Sequence, residues 1–141
     1  MGCGIMGMED IFVGRLMSEP VGTVSPGTSV REAAQLMREK DIGSVLVVEE
    51  TDHLLGILTG TDFVTAVADG RSMGDTAVSE FMTEDLLTTT VNESILDVAD
   101  TMTENCIHHL PVVDDEQVIG MIATSDLTAY ISRLDERASV A

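Results

Sequence analysis

Lysine is almost missing from this chain: Lys40 stands alone, and six arginines bring the basic total to 7. Against 25 acidic residues this leaves a formal net charge of -18 and a pI of about 4.1. Such a balance removes the electrostatic attraction on which sequence-independent binding to nucleic acid or anionic lipid depends, so neither is an expected partner. Aromatic residues are equally scarce, at 3% with no Trp, so any core must be built from Val, Ile, Leu, Met and Ala. The only cysteines, Cys3 and Cys106, form no disulfide framework and lack metal-ligand spacing, which fits a reducing cytoplasm. No apolar run approaches the ~20 residues that span a bilayer, and no membrane insertion is expected. The opening Met1-Gly2-Cys3-Gly4-Ile5-Met6 has Met6 where an acylation signal wants Ser or Thr, and it reads as a frayed terminus. A strongly acidic, lysine-poor surface is either that of a plainly acidic protein or, the preferred reading, an adaptation to the salty cytoplasm of a halophilic prokaryote. There, screening shortens the range of self-repulsion, so stability should climb with potassium chloride.

What is present is a repeat. Leu16-Met17 is answered by Phe81-Met82 and Ile42 by Ile107, in each case 65 residues later, while Gly56 and Asp62 recur as Gly120 and Asp126 after 64. The one-residue change falls where Glu50-Thr51-Asp52-His53 is matched by the shorter Asp114-Asp115-Glu116, as a hairpin loop tolerates. Within each copy, Thr28 or Ser29 can cap a helix whose face is Val30, Ala33, Ala34 and Met37, repeated as Ile95, Val98, Ala99 and Met102. Two β-branched runs follow, Val45 to Val48 and Leu54 to Leu58, then Leu110 to Val113 and Val118 to Ile122. A second helix starts near Asp62 or Asp126 and reaches about Ala68 or Arg133, with Phe63, Val64, Val67 and Leu127, Tyr130, Ile131 as its apolar faces. Short extended pieces at Gly22 to Val24 and Leu87 to Thr89 can add a third strand. The predicted class is α/β (α+β): tandem β-α-β-β-α repeats packed sheet to sheet with pseudo-two-fold symmetry, since an isolated hairpin is marginal in water. The predicted divisions are an N-terminal tail at 1–14, repeats at 15–70 and 78–133, a linker at 71–77 and a C-terminal tail at 134–141.

The runs Gly56-Ile57-Leu58-Thr59-Gly60-Thr61-Asp62 and Gly120-Met121-Ile122-Ala123-Thr124-Ser125-Asp126, with His108-His109-Leu110-Pro111-Val112-Val113-Asp114, resemble the CBS domain. The tandem arrangement over residues 15 to 133 looks like a Bateman module. The resemblance implies a regulatory module that binds AMP, ADP, ATP, S-adenosylmethionine or another adenosyl ligand in a cleft between repeats and pairs as a homodimer; with no effector domain attached, it implies a partner enzyme or transporter in trans, a sensor that works as an oligomer, or a role in nucleotide storage. Asp62 and Asp126 are then the acceptors for the two ribose hydroxyls, where charge-assisted bonds are worth about 1.5–3 kcal/mol each; the plainer role is a helix N-cap. Family pattern assigns Thr59 and Thr61 to a phosphate cradle at one helix start. In the second copy Ser125 matches, but Ala123 stands where a hydroxyl is usual, which implies unequal sites. His108 and His109 occupy positions at which kinase-regulating relatives place basic phosphate contacts, while the matching Gly43-Ser44 carries no charge. Strand alternation lets only one of the two histidines face the cleft. Ile42 and Ile107 are candidates for an apolar adenine slot, or are ordinary core.

No nucleophile with an adjacent base and no carboxylate pair is visible, so no catalytic residue is assigned and the chain is not expected to be an enzyme. Cys106 reads as a small buried hydrophobe beside the strand entry. His53, His108 and His109 make no zinc signature. A Mg²⁺ ion enters only as a bridge to a polyphosphate on so acidic a protein. The competing reading is a ligand-free scaffold that dimerises through its helical faces and docks on an enzyme or transporter.

Overall fold

The computed structural model of the chain describes residues 11–18 and 22–140, with side chains through residue 134. Cys3, most of the segment read as an N-terminal tail, and the last residue lie outside the described residues. In chain order the elements are α1 (Val13–Leu16), β1 (Thr23–Val24), α2 (Val30–Lys40), β2 (Ser44–Glu49), β3 (His53–Thr59), α3 (Gly60–Ala68), α4 (Ile95–Asn105), β4 (His109–Asp114), β5 (Gln117–Ala123) and α5 (Thr124–Val140). A 3-10 turn covers Val78–Glu80. The fold is mixed α/β: the β-α-β-β-α order of the first copy is answered by α-β-β-α in the second, where the leading strand expected at Leu87 to Thr89 is reduced to a single parallel bridge between Thr89 and Val112. The C-terminal helix continues past Arg133, where the sequence pattern ends it.

The helices α2 and α4 have nearly identical punctuation. Ser29 accepts the Glu32 amide at 3.1 Å and Glu32 reaches back, completing a capping box on α2; Ser94 accepts the Asp97 amide on α4. Each satisfies an amide that the first turn would otherwise leave without a partner. Both helices close in the left-handed region, at Asp41 and at Cys106, each with φ 55°. The amides of Ile42 and Ile107 then return to the carbonyls of Met37 and Met102, both at 3.0 Å. Cys106 is exposed, contrary to its reading as a buried hydrophobe, because it is the turn residue itself and the burial passes to its neighbour Ile107. A left-handed conformation costs a residue with a Cβ about 1–2 kcal/mol, part of which glycine returns as greater freedom in the unfolded chain. Cys106→Gly should therefore raise stability by about 0.5–1 kcal/mol, read as an increase in the urea midpoint at constant slope.

The compact units are interleaved along the chain. One unit comprises residues 22–87 together with 115–118. In it β1 runs parallel to β2 (Thr23 opposite Leu46) and β2 antiparallel to β3 (Ser44 opposite Thr59, Leu46 opposite Ile57), and His53 pairs with Gln117 at the start of β5. Within this unit the strand order is β1-β2-β3, with the first residues of β5 beside β3. Its core is Val30, Ala33, Val45, Val47, Leu58 and Val78. From the end of the predicted linker onward, residues 76–83 pack on the same unit: the Val78 amide donates to Thr28 O at 2.8 Å, and Thr83 exchanges two backbone bonds with Ile57.

The other unit comprises residues 11–18, 88–114 and 119 onward. Thr89 pairs parallel to Val112, as β1 does to β2. Its core is Val98, Met102, Leu110, Val112, Ile122 and Leu127, with Ile95, Ile11 and Val13. The last two residues belong to the stretch that the sequence pattern leaves as a tail. Their burial comes from pairing with residues some eighty positions away, which local periodicity does not reveal.

Three apolar faces differ from expectation. Ala34 is exposed, and on α3 Val64 is 69% and Val67 66% exposed, while Ala66 is buried. At about 100° per residue Ala66 falls between Asp62 and Phe63, while Val64 turns about 160° away from Ala66 and Val67 about 100°, to the flank. Ile131 on α5 is likewise exposed.

Candidate functional site

Each copy brings a strand end, a helix start and a carboxylate to one point. In the unit holding the first copy, β3 ends at Thr59 and α3 begins at Gly60, so Asp62 falls on the third helical residue. It is therefore the reciprocal partner in the capping arrangement and not the N-cap. Asp62 Oδ2 accepts the Thr59 amide at 2.9 Å and lies 3.4 Å from the Thr59 hydroxyl. Antiparallel register sets Ser44 opposite Thr59, and Ser44 is buried, so a second hydroxyl-bearing residue sits on the adjoining strand. Thr83 donates to Asp62 Oδ1 at 3.5 Å. Local reading missed Thr83, which is separated from the aspartate by a helix and a linker; its one signal was the recurrence of Leu16-Met17 as Phe81-Met82 just before it.

The second copy repeats the backbone and changes the side chains. Asp126 Oδ2 accepts the Ala123 amide at 2.8 Å, again three residues after the strand end. Ala123 supplies no hydroxyl, and the position matching Ser44 is His109, the first residue of β4. His109 is half-buried and His108, just outside the strand, is exposed. Thr124 ties the two edges together: its amide donates to His108 O at 2.9 Å, and its hydroxyl lies 3.5 Å from His108 Nδ1. The matching residue in the first copy is Gly60, so this link has no counterpart there.

Burial holds the His109 pKa below its ordinary 6.5, the neighbouring His108 adds to the lowering, and the Asp126 carboxylate opposes it. At neutral pH the imidazole beside Asp126 is therefore uncharged. A histidine whose protonated form is disfavoured by folding leaves the unfolded chain with more bound protons below pH 6.5, so stability is fully present above that pH and declines as the pH falls through the lowered value. His109→Gln should flatten this part of the pH profile, measured as thermal midpoints between about pH 7.5 and pH 5; an unchanged slope in the variant would place the proton uptake elsewhere.

Of the remaining candidates, Thr61 and Ser125 are exposed on the first turns of α3 and α5, and Gly43 is exposed ahead of β2. Ile42 and Ile107 are half-buried and pack against the cores of their own units. Ile42 leans on Gly22, where an added Cβ would lie 2.6 Å from its Cδ1. Both isoleucines thus serve as core while keeping an edge beside the strand entry. Among the described residues no group of three or more His, Cys, Asp or Glu is placed to hold a metal ion, and no helix is long and apolar enough to cross a membrane.

Comparison with known proteins agrees with this duplicated architecture. The family model of the CBS domain matches twice, over residues 13–69 and 78–133. The chain is 38% identical over 112 residues to the CBS domain-containing protein YhcV of Bacillus subtilis (strain 168), covering 79% of each. It is 32% identical over 126 residues to the homoserine O-acetyltransferase of Methanococcus vannielii, spanning 89% of this chain but only 26% of that enzyme. Among solved structures, the CBS domain pair of protein MJ0100, in complex with 5′-methylthioadenosine and S-adenosyl-L-methionine, superposes with a TM-score of 0.79 at 29% identity. The match covers 85% of this chain and 98% of that one.

Proposed function

The chain belongs to the CBS-domain family, and from that premise we propose that it is a non-catalytic regulatory module that binds an adenosyl ligand through Asp62 and Asp126. The observation that carries the reading is the duplicated strand–carboxylate–helix junction. In both copies one carboxylate oxygen is engaged by the amide three residues earlier, which orients the group, and the second oxygen, which in the first copy also accepts the Thr83 hydroxyl, keeps a lone pair for a ribose diol. The structural neighbour bound to 5′-methylthioadenosine and S-adenosyl-L-methionine supports this ligand class. The match to the M. vannielii enzyme over the part that this chain spans is in keeping with a module that serves an enzyme. AMP, or an adenosyl compound with a cationic or uncharged tail, fits better than a triphosphate, because the candidate residues of the first copy carry no basic group and His109 is neutral. A polyphosphate would need Mg²⁺ as a bridge. The acidic surface suits the cytoplasm of a halophilic prokaryote.

The test is a thermal-shift panel of AMP, ADP, ATP, 5′-methylthioadenosine and S-adenosylmethionine in high salt, where a ligand at concentration [L] stabilises by RT ln(1 + [L]/Kd). Asp62→Ala should weaken the binding ligand at least about tenfold; full affinity in the variant would refute the role of this carboxylate. A second reading, a homodimeric scaffold for a partner enzyme or transporter, is favoured by Val64 and Val67 on α3 at 69% and 66% exposed. Silence across the panel would select it.

A further inference from the structure

Thr83 lies outside the motifs on which the resemblance was read, yet its hydroxyl reaches the Asp62 carboxylate from 21 residues away. Its backbone is fixed independently of that contact. The Thr83 amide donates to Ile57 O at 2.8 Å, the Ile57 amide donates to Thr83 O at 3.0 Å, and the Met82 amide closes the preceding 3-10 turn on Val78 O at 2.9 Å. The Met82 thioether lies directly over Gly56, close enough that a Cβ there would be 2.8 Å from its sulfur. The hydroxyl is therefore delivered to Asp62 by a segment seated on β3, and not by a wandering loop.

The two oxygens of Asp62 receive donors from two different parts of the chain, Oδ2 from the Thr59 amide and Oδ1 from Thr83. The carboxylate is thus met at both ends before any ligand arrives, closely by the amide at 2.9 Å and at the outer reach of a hydrogen bond by the hydroxyl at 3.5 Å, and each oxygen retains a further lone pair for a sugar hydroxyl. In the second copy Ser18 occupies the matching place and exchanges backbone bonds with Met121. Among the described hydrogen bonds of Asp126, however, the donor is the Ala123 amide, with no such hydroxyl on the other oxygen.

We propose that Thr83 is a positioning residue for the first-copy adenosyl site: it orders Asp62 for the ribose and links ligand affinity there to the seating of Met82–Thr83 on β3. The proposal rests on the reading of Asp62 as the ribose acceptor. By linkage, whatever displaces the segment weakens the ligand, and the ligand in turn holds the segment down.

Thr83→Val keeps the volume and removes the hydroxyl, and Thr83→Ser restores it. Calorimetric titration with AMP and with 5′-methylthioadenosine should show about a fivefold loss in Thr83→Val, recovery in Thr83→Ser, and the same thermal midpoint for both without ligand. A second readout needs no ligand: the carboxyl carbon shift of Asp62, which responds to the donors on its oxygens, should move in Thr83→Val and return to the wild-type value in Thr83→Ser. If the wild type binds neither compound, the proposed function fails while the carboxyl shift still decides whether Thr83 engages Asp62. An unchanged carboxyl shift, or full affinity in Thr83→Val where the wild type binds, would overturn the proposal.

Discussion

Ile11→Ala is expected to destabilise the protein by about 2–4 kcal/mol, with Val13→Ala acting in the same direction by a smaller amount. Ile11 is 2% exposed and Val13 fully buried, and both pack with Ile95, Val98 and Met102. The segment is also bonded along its backbone: Ile95 donates to Ile11 O and Val13 to Glu93 O, both at 2.9 Å, and Gly14 to Val91 O at 3.1 Å. Shortening Ile11 thus opens a cavity in a core lined from both sides. Domains of this size hold only about 5–15 kcal/mol in reserve, so a large part of the total is at stake. Urea unfolding at unchanged slope measures the loss; a cost below about 0.5 kcal/mol, the scale of a surface substitution, would show that the segment is not core.

Gly56→Ala should cost about 1–3 kcal/mol, as overpacking does, and should weaken any ligand that depends on Asp62. The new Cβ would stand 2.8 Å from Met82 Sδ and 2.9 Å from Thr83 O. The thioether can swing aside. The carbonyl cannot, because it accepts the Ile57 amide, so relief requires the Met82–Thr83 segment to lift from β3. Gly60→Ala is the internal control: it lies four residues on, at the start of α3, and an added Cβ there meets nothing within 4 Å. Alanine at a helical position without steric conflict is neutral or stabilising by up to about 1 kcal/mol. Equal losses at the two glycines would remove packing against Met82 as the cause.

The helices α2 and α4 were legible because everything that defines them is local. A serine cap, an apolar residue at the first position and every third or fourth thereafter, and a turn residue fall within a dozen positions. The hairpins were legible for the same reason, and the 64–65-residue offset predicted the second copy from the first. What stayed hidden was decided by residues far apart in the chain. Nothing near Ile11 announces that residues 91–95 will pair with it, and nothing near Thr83 announces Asp62. Val64 and Val67 were misassigned for a different reason: in a nine-residue helix two apolar stripes compete, and a small residue, Ala66, took the inward side. At the candidate site, sequence alone singled out both aspartates and the histidine pair. The capping bonds that orient the carboxylates, and the burial that keeps His109 neutral, required coordinates.

The interleaving of the units bears on how the protein is made. As the nascent chain leaves the ribosome, residues 11–18 emerge with no partner, because the strands and helices that complete their core follow roughly a hundred positions later. At ordinary translation speeds that interval lasts on the order of ten seconds. Meanwhile Ile11 and Val13 face solvent, the first repeat can gather residues 76–83 onto itself, and neither half is complete until the last hairpin has been translated. Maturation from the amino end is thus only partial, and residues 11–18, made well before the rest of their unit, are among the last to find their place.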